Sequence, residues 1–89
     1  MRLEFTEKFK IDVKEIDDLK IKERIITVIE ECEIAQSLSE IRNLKKLKGY
    51  DKHFRIKVGN FRIGLSLQQG VLVFSRCLHR KDIYRYFPE

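Results

Sequence analysis

The sequence predicts an α+β fold in which an N-terminal helical hairpin packs on one face of a small antiparallel sheet, with a short C-terminal helix. Residues 54–68 alternate between apolar and polar positions on both sides of Gly59-Asn60, which is typical of two half-buried strands joined by a two-residue turn. A third alternating run, residues 71–78, follows a turn at Gln69-Gly70. Upstream of these strands, apolar residues recur at helical spacing and predict the two helices.

The N-terminal part of the chain predicts one strand before the helices. Residues 2–5 alternate as a short strand does, and Thr6 has the side chain and the position of a helix N-cap. Asp17 and Asp18 interrupt the helical pattern, and either carboxylate can cap a second helix that begins at about Leu19. The apolar positions expected to face the sheet are Phe9, Val13, Ile16, Ile21, Ile25, Val28, Ile29, Cys32 and Ala35.

The Gly59-Asn60 turn fixes the register of the hairpin around it. Val58 then faces Phe61, and one step further from the turn Lys57 faces Arg62. Like charges directly opposite each other on a sheet face lower stability, so such a pair needs an anion to offset the repulsion. We therefore expect an anionic ligand between Lys57 and Arg62.

The remaining segments allow more than one interpretation. Residues 37–49 form a basic connector, which is either a flexible solvated loop or the rim of a phosphate-binding surface. Arg76 falls on the apolar side of its strand by parity, so it either reaches solvent at the sheet end or marks a β-bulge. Residues 80–87 predict a short closing helix that ends before Pro88.

The positive charge is concentrated in the sheet-forming part of the chain. Residues 1–49 carry eleven Lys or Arg and eleven Asp or Glu, whereas residues 50–89 carry eight and three, which accounts for the whole net charge of +5. This asymmetry indicates a polyanionic partner, nucleic acid in the first place, or an acidic protein. A basic solvated surface without a ligand remains the alternative.

Length and composition predict one cytoplasmic domain spanning residues 1–89. No apolar run approaches the roughly 18 residues of a membrane span, and the N-terminus lacks the apolar stretch of a secretory signal. Cys32 and Cys77 are expected to be buried, reduced thiols. No spacing of Cys and His suggests a metal, and no Gly-rich phosphate loop suggests a nucleotide cofactor, so we expect neither.

The sheet face away from the helices is expected to form a basic floor with an aromatic rim. Small residues at Gly64, Ser66, Ser75 and Cys77 are expected to leave room above it. The polar and aromatic residues assigned to this face are Arg55, Lys57, Arg62, His79, Arg80, Lys81 and Tyr84. Such a surface suits an RNA or DNA segment, because cations hold phosphates and an aromatic ring stacks on a base.

RNA cleavage without a metal is the chemistry that this set of residues could perform. It needs a base for the ribose 2′-OH, cations for the charge that develops on phosphorus, and an acid for the leaving 5′-oxygen. Lys57 is crowded by Arg55 and Arg62, which disfavours its charged form and suits it to act as a base. The two arginines stay charged and can hold phosphate oxygens bidentately.

The sequence resembles the RelE/ParE superfamily of toxins from toxin–antitoxin operons. The resemblance rests on the segments KLKG, HFRIKVGNFRIGLSL and VLVFSRCLHRKDIYRYFP in this order, and it covers nearly the whole chain. It implies a RelE-like fold and a metal-independent, ribosome-dependent endoribonuclease that cuts mRNA by 2′-OH attack and so inhibits translation. It also implies a co-encoded antitoxin that masks the basic face.

The resemblance also implies roles for individual residues. Lys57 matches the expected base, Arg62 matches the arginine that holds the scissile phosphate, and Arg80 matches a C-terminal arginine that acts as acid or phosphate clamp. Tyr84 matches the tyrosine that stacks a nucleobase, with Tyr86 as the alternative. Further contacts to RNA or phosphate are predicted for Arg55, Lys48, Lys52, Lys81 and His79.

Two of these positions depart from the RelE pattern. Arg55 stands where RelE toxins have a lysine, and His79 has no counterpart there, although related toxins use a histidine near this end as a second acid. Two alternatives to the nuclease also remain, namely a ParE-like inhibitor of DNA gyrase and an inactive member that only binds its antitoxin. The basic cluster favours the nuclease, because the gyrase-directed branch generally lacks it.

Overall fold

The computed structural model describes residues 1–88, which form a five-stranded mixed sheet with two long helices packed on one of its faces. The strands are β1 (Arg2–Phe5), β2 (Leu44–Lys46), β3 (His53–Val58), β4 (Phe61–Gln68) and β5 (Val71–His79). The helices are α1 (Glu7–Lys14), α2 (Leu19–Ile34) and α3 (Ile83–Tyr86). The α+β prediction is confirmed.

The order of the strands in the sheet is β1-β5-β4-β3-β2. The pairs β2–β3, β3–β4 and β4–β5 are antiparallel, whereas β1 runs parallel to β5. The sheet is therefore mixed, and not wholly antiparallel as predicted. The helices α1 and α2 follow β1 in the chain and separate it from the four antiparallel strands, so β1 does not join them through a hairpin.

In the described part of the chain, no helix combines the length and the apolar character needed to cross a membrane.

Side chains cap the two long helices where the sequence predicts them. Thr6 Oγ1 accepts a hydrogen bond from Phe9 N at 3.1 Å, which satisfies a free amide at the start of α1. Asp18, and not Asp17, caps α2, since one of its carboxylate oxygens accepts from the amides of Lys20 and Ile21 at 3.0 and 3.2 Å.

The core lies between the two long helices and the sheet. Ile25 and Cys32 of α2 are at most 1% exposed and meet the equally buried Ile56, Ile63 and Leu65 of β3 and β4. Each such aliphatic side chain stabilises the fold by about 1.5–3 kcal/mol through burial. This packing covers one face of the sheet with helices, and we call the opposite face, which carries Arg55, Lys57 and Arg62, the open face.

The hairpin β3–β4 has the predicted register. Val58 pairs with Phe61 and Lys57 pairs with Arg62. Gly59 has a φ of 59°, and a Cβ at this position would lie 2.8 Å from Ile21 Cδ1, so the turn needs glycine both for its conformation and for its contact with α2.

A β-bulge at Ser75 changes the facing of the second half of β5. Phe74 pairs with Leu65 and Arg76 pairs with the preceding Gly64, so Ser75 has no partner residue on β4. The bulge places Arg76 on the open face and explains why the arginine is out of step with the sequence pattern. Cys77, predicted for the open face, is 1% exposed in the core instead.

The basic connector contains a strand that the sequence analysis missed. Residues 44–46 form β2 at the edge of the sheet, with Lys45 opposite Arg55 and Leu44 packed against the core. The prediction of a flexible loop was therefore wrong for this segment. Three residues are too few to show a recognisable alternation, and pairing with β3 determines their conformation.

Candidate functional site

Four cations from three adjacent strands lie next to each other on the open face. Lys45 of β2 pairs with Arg55 of β3, and Lys57 of β3 pairs with Arg62 of β4. We call these four residues the basic face. In residues 1–88, no carboxylate lies within ion-pair distance of any of them, so the repulsion within the cluster is not offset inside the described protein.

An open groove of about 640 Å³ runs beside the basic face, under the C-terminal segment. Its lining residues are Lys45, Lys46, Leu47, Lys48, Tyr50, Arg55, Tyr84, Phe87 and Pro88. Tyr84 and Tyr50 are 58% and 44% exposed. The groove thus combines cations with accessible aromatic rings, which is the combination that binds single-stranded nucleic acid.

Tyr84 and Tyr86 have different surroundings, although both belong to α3. Tyr84 lines the groove together with Arg55. The ring of Tyr86 instead contacts the guanidinium of Arg76, with Cζ 5.4 Å from the ring centroid. Of the two tyrosines, Tyr84 is therefore the one placed to stack on a base in the groove.

Arg62 lies against the hairpin turn. Its Nη1 donates hydrogen bonds to the carbonyl oxygens of Gly59 and Phe61, both at 2.9 Å. These bonds anchor the guanidinium beside Lys57, while the remaining N–H groups of its five-donor fork are available to an oxyanion.

Arg80 and Lys81 follow directly after β5, and both are exposed. Arg80 N donates to Asn60 O at 2.7 Å, so the arginine emerges beside the hairpin turn, at the same end of the sheet as Lys57 and Arg62. Neither side chain lines the groove with Tyr84.

His79 lies on the helical side of the sheet, and its predicted place on the open face was wrong. Its ring makes an edge contact with Phe61 at a centroid distance of 5.7 Å, and its Nδ1 accepts from Lys81 N at 3.2 Å. The bulge at Ser75 is the cause, because it reverses the alternation before His79 is reached.

Two predicted phosphate contacts, Lys48 and Lys52, have different positions. Lys48 lines the groove. Lys52 is exposed just before β3 and does not line it, although its carbonyl oxygen accepts from Leu67 N at 2.9 Å.

The room predicted above the small residues of the open face is filled by the C-terminal segment. Phe87 is 4% exposed and packs directly on Gly64, where an added Cβ would lie 2.6 Å from the phenyl ring. The groove is therefore shifted toward β2 and β3 relative to the floor that the sequence predicts.

Sequence reasoning missed Tyr50 and underestimated Lys45 and Lys46. Tyr50 lies in the loop after β2, where its ring contacts the imidazole of His53 at 5.2 Å. The signal in the sequence is limited to Gly49, whose positive φ suits the turn between β2 and β3, because the three residues of β2 show no alternation of their own.

Neither cysteine belongs to the site. Burial raises the pKa of the Cys77 thiol to about 12, and the carboxylate of Asp12 adds to the effect. Burial, with a smaller effect of Glu31, raises the pKa of Cys32 to about 11. Both thiols are free and protonated at neutral pH, which makes them poor nucleophiles.

Comparison with known proteins identifies a close relative. The sequence is 43% identical over 89 residues to Toxin RelE3 of Methanocaldococcus jannaschii, which covers 99% of this chain and 100% of that protein. The structure is similar to the RelB-RelE antitoxin–toxin complex from Methanococcus jannaschii, with a TM-score of 0.79 and 42% identity over 96% of this chain and 99% of that one. No protein-family model matches the sequence.

More distant structures share the fold. The RelE-RelB complex from Pyrococcus horikoshii OT3 has a TM-score of 0.72 at 15% identity, covering 92% of this chain and 97% of that one. The intact E. coli RelBE complex has a TM-score of 0.68 at 16% identity, covering 88% and 94%. The likeness to the relative with 43% identity over the whole length shows the family. The chain belongs to the RelE family of toxins from toxin–antitoxin systems.

Proposed function

We propose that this toxin is an endoribonuclease that cuts mRNA in the ribosomal decoding site and thereby inhibits translation in the cytoplasm. The observation that carries the proposal is the basic face, whose four cations have no carboxylate partner within residues 1–88. A phosphodiester supplies the missing anion. The adjacent groove, with Tyr84 and Tyr50 exposed, offers a place for the neighbouring bases.

The proposed reaction assigns each step to a side chain and includes no metal. Lys57 removes the proton from the ribose 2′-OH, and the 2′-oxygen attacks the adjacent phosphorus. The bond between phosphorus and the 5′-oxygen breaks, which leaves a 2′,3′-cyclic phosphate, and the released 5′-oxygen takes a proton from water to become a 5′-hydroxyl end. Arg55 and Arg62 flank Lys57 on its own strand and on the opposite strand, so they can stabilise the charge on the phosphorane.

Arg80 and Tyr84 complete the proposed site. Arg80 emerges at the turn end of the hairpin, and we assign it to the leaving 5′-oxygen or to the scissile phosphate. Because an arginine keeps its proton, a phosphate clamp is the simpler of its two roles. Tyr84 stacks on a base beside the cut, and Lys48 and Lys46 hold neighbouring phosphates along the groove.

We also propose that a co-encoded antitoxin binds this toxin. Related RelE proteins have been solved as complexes with RelB antitoxins. A partner that presents carboxylates to the basic face would offset its repulsion in the same way as RNA does, and so would compete with RNA for it.

Cleavage of a translated message after induction tests the nuclease. We expect Lys57→Ala and Arg62→Ala each to lower cleavage by about 100-fold or more, because a general base and a transition-state cation are each worth factors of this size. Primer extension on the message gives the readout, together with growth of the culture. Lys20→Ala, which removes an exposed cation from α2, is the matched control and should leave cleavage unchanged.

Thermal unfolding of each variant separates lost chemistry from lost folding. The assignment fails if Lys57→Ala and Arg62→Ala stay fully toxic while folded. It also fails if the wild-type protein leaves mRNA intact and inhibits gyrase supercoiling, which is the behaviour of a ParE-like toxin.

A further inference from the structure

Tyr84 belongs to a helix that is too short to be stable without contacts to the rest of the protein. The helix α3 has four residues, and a single turn is far too short to be stable on its own. Tyr84 is itself 58% exposed, so its own packing does not fix it. The contacts that orient this ring must come from its neighbours in the C-terminal segment.

One of these contacts is the seat of Phe87 on the sheet. A Cβ at Gly64 would lie 2.6 Å from Phe87 Cγ and Cδ2, so the ring rests directly on the backbone of β4. The φ of Gly64 is not in the left-handed region, which means that glycine is needed here for space and not for conformation. Phe87 thus fixes the end of α3 above the open face.

The second contact reaches α3 from Arg76 of β5, which is held by α1. Arg76 Nε and Nη2 donate to the two carboxylate oxygens of Asp12 on α1, at 2.8 and 3.1 Å. The same carboxylate accepts from Cys77 N at 2.9 Å, and the two side chains of the ion pair are only 9% and 16% exposed. The guanidinium is therefore held in one orientation by a fork of two parallel bonds.

The guanidinium fixed in this way lies over the ring of Tyr86. Arg76 Cζ lies 5.4 Å from the centroid of the Tyr86 ring, within the range of a cation–π contact. The bulge at Ser75 makes the contact possible, since without it Arg76 would point to the core face. A continuous path thus runs from Asp12 through Arg76 to Tyr86, two residues from Tyr84.

We propose that Arg76, oriented by Asp12, is a positioning residue that holds α3 through Tyr86 so that Tyr84 faces the groove. The inference rests on the proposed function, in which Tyr84 stacks on the substrate. It assigns a role to three residues outside the basic face, namely Asp12, Arg76 and Tyr86. In this role Arg76 affects cleavage through the position of Tyr84, without contacting RNA.

The variants Tyr86→Leu and Arg76→Lys test the proposal. Tyr86 is half exposed, so Tyr86→Leu removes the cation–π partner and leaves the Asp12–Arg76 pair intact. Arg76→Lys keeps the charge and loses the bidentate fork. We expect each variant to lower kcat/KM for cleavage of the ribosome-bound message by about 10- to 100-fold, as misplacement of a substrate-positioning group does. Arg42→Met breaks an exposed arginine–carboxylate pair with Glu31 and is the matched control.

A double-mutant cycle with Tyr84→Ala distinguishes positioning from a general loss of structure. If Arg76 and Tyr86 act through Tyr84, Arg76→Lys and Tyr86→Leu change cleavage less than twofold in the Tyr84→Ala background. The proposal is overturned if Arg76→Lys and Tyr86→Leu lower cleavage by the same factor in the Tyr84→Ala background as in the wild type, because Arg76 and Tyr86 would then act independently of Tyr84.

The ring signals of Tyr84 in tyrosine-labelled protein give a readout that needs no nuclease activity. These NMR signals should shift in Arg76→Lys and Tyr86→Leu and stay in place in Arg42→Met. Unchanged signals in both variants would refute the positioning role. Shifted signals in a toxin whose wild type leaves RNA uncut would support the positioning and refute the proposed function.

Discussion

The chemistry of Cys77 is changed strongly by its place in the fold. The sequence pattern assigned it to the open face, but the bulge turns it into the core beside the carboxylate of Asp12, and its pKa rises to about 12. A thiol that stays protonated and buried reacts slowly with alkylating reagents and disulfides. Cys32 has the same character at the other end of the core, with a pKa of about 11.

These two raised pKa values predict a loss of stability in alkaline solution. In the unfolded chain a thiol titrates near 9.0, below its pKa in the folded protein, so the unfolded state binds fewer protons above pH 9. The stabilisation is complete below pH 9 and is lost as the pH rises toward 12. Between pH 8 and 10, each thiol should lower the free energy of unfolding by up to about 1.4 kcal/mol.

Urea unfolding of the wild type and of Cys77→Ala at both pH values measures this effect. Cys77→Ala should be less stable than the wild type at both pH values, because it leaves a cavity in the core. Its free energy of unfolding should nevertheless fall less between pH 8 and 10 than that of the wild type, by a difference of up to about 1.4 kcal/mol. Equal losses in the two proteins would contradict a raised pKa at Cys77.

The hairpin β3–β4 depends on the glycine in its turn. Gly59 meets two requirements at once, a positive φ of 59° and a close contact with Ile21 of α2. Gly70, in the next turn, has a φ of 79° but open space around it. Substitutions at the two glycines therefore distinguish the cost of a positive φ, which both positions share, from the cost of a steric overlap, which only Gly59 has.

Replacing each glycine with alanine should show this difference. Gly70→Ala should lower the free energy of unfolding by about 1 kcal/mol, the strain of a left-handed alanine. Gly59→Ala should cost about 1–3 kcal/mol more, because its methyl group also collides with a packed side chain. Urea unfolding gives both values, and equal losses would show that the contact between the turn and α2 does not matter.

Local signals in the sequence were sufficient to predict most elements. The caps at Thr6 and Asp18, the apolar stripe of α2 and the turn at Gly59 depend on residues close in sequence, so their patterns are visible without the fold. The bulge at Ser75 is different, because its stabilising contacts are long-range. Thr6 Oγ1 donates to Ser75 O at 2.8 Å, and Asp12 accepts from Cys77 N.

The candidate site was predictable to a similar degree. Arg55, Lys57 and Arg62 lie on the open face as expected, because the register of the hairpin determines their facing, and Tyr84 of α3 lines the groove. His79 was misplaced by the bulge, for a reason that no local pattern shows. Their roles in cleavage stay predictions.

At the scale of the whole molecule, the excess positive charge lies in the C-terminal part of the sequence. Residues 1–49 are neutral overall, and the excess of +5 comes from residues 50–89, which contain the central strands. Lys45 joins this group through the pairing of β2 with β3. The molecule therefore approaches a polyanion with its open face first.

This arrangement predicts how RNA binding depends on salt. Each phosphate contact to a single strand contributes about −0.7 to the slope of log K against log salt concentration. Lys45→Ala and Arg55→Ala should each make the slope shallower by about 0.7, and Lys20→Ala should not change it. Titrations at several salt concentrations, with a 2′-O-methyl RNA that cannot be cut, measure the slopes. Equal slopes for Lys45→Ala and Lys20→Ala would remove Lys45 from the interface.

The edge strand β2 links this binding to solubility. Its outer side carries backbone N–H and C=O groups without a neighbouring strand, since β2 ends the order of the sheet. Lysines on such an edge oppose pairing with the edge of another molecule. Lys45 and Lys46 therefore oppose the addition of a second chain to the edge of the sheet. Neutralising these two lysines would weaken both RNA binding and this protection against edge-to-edge association.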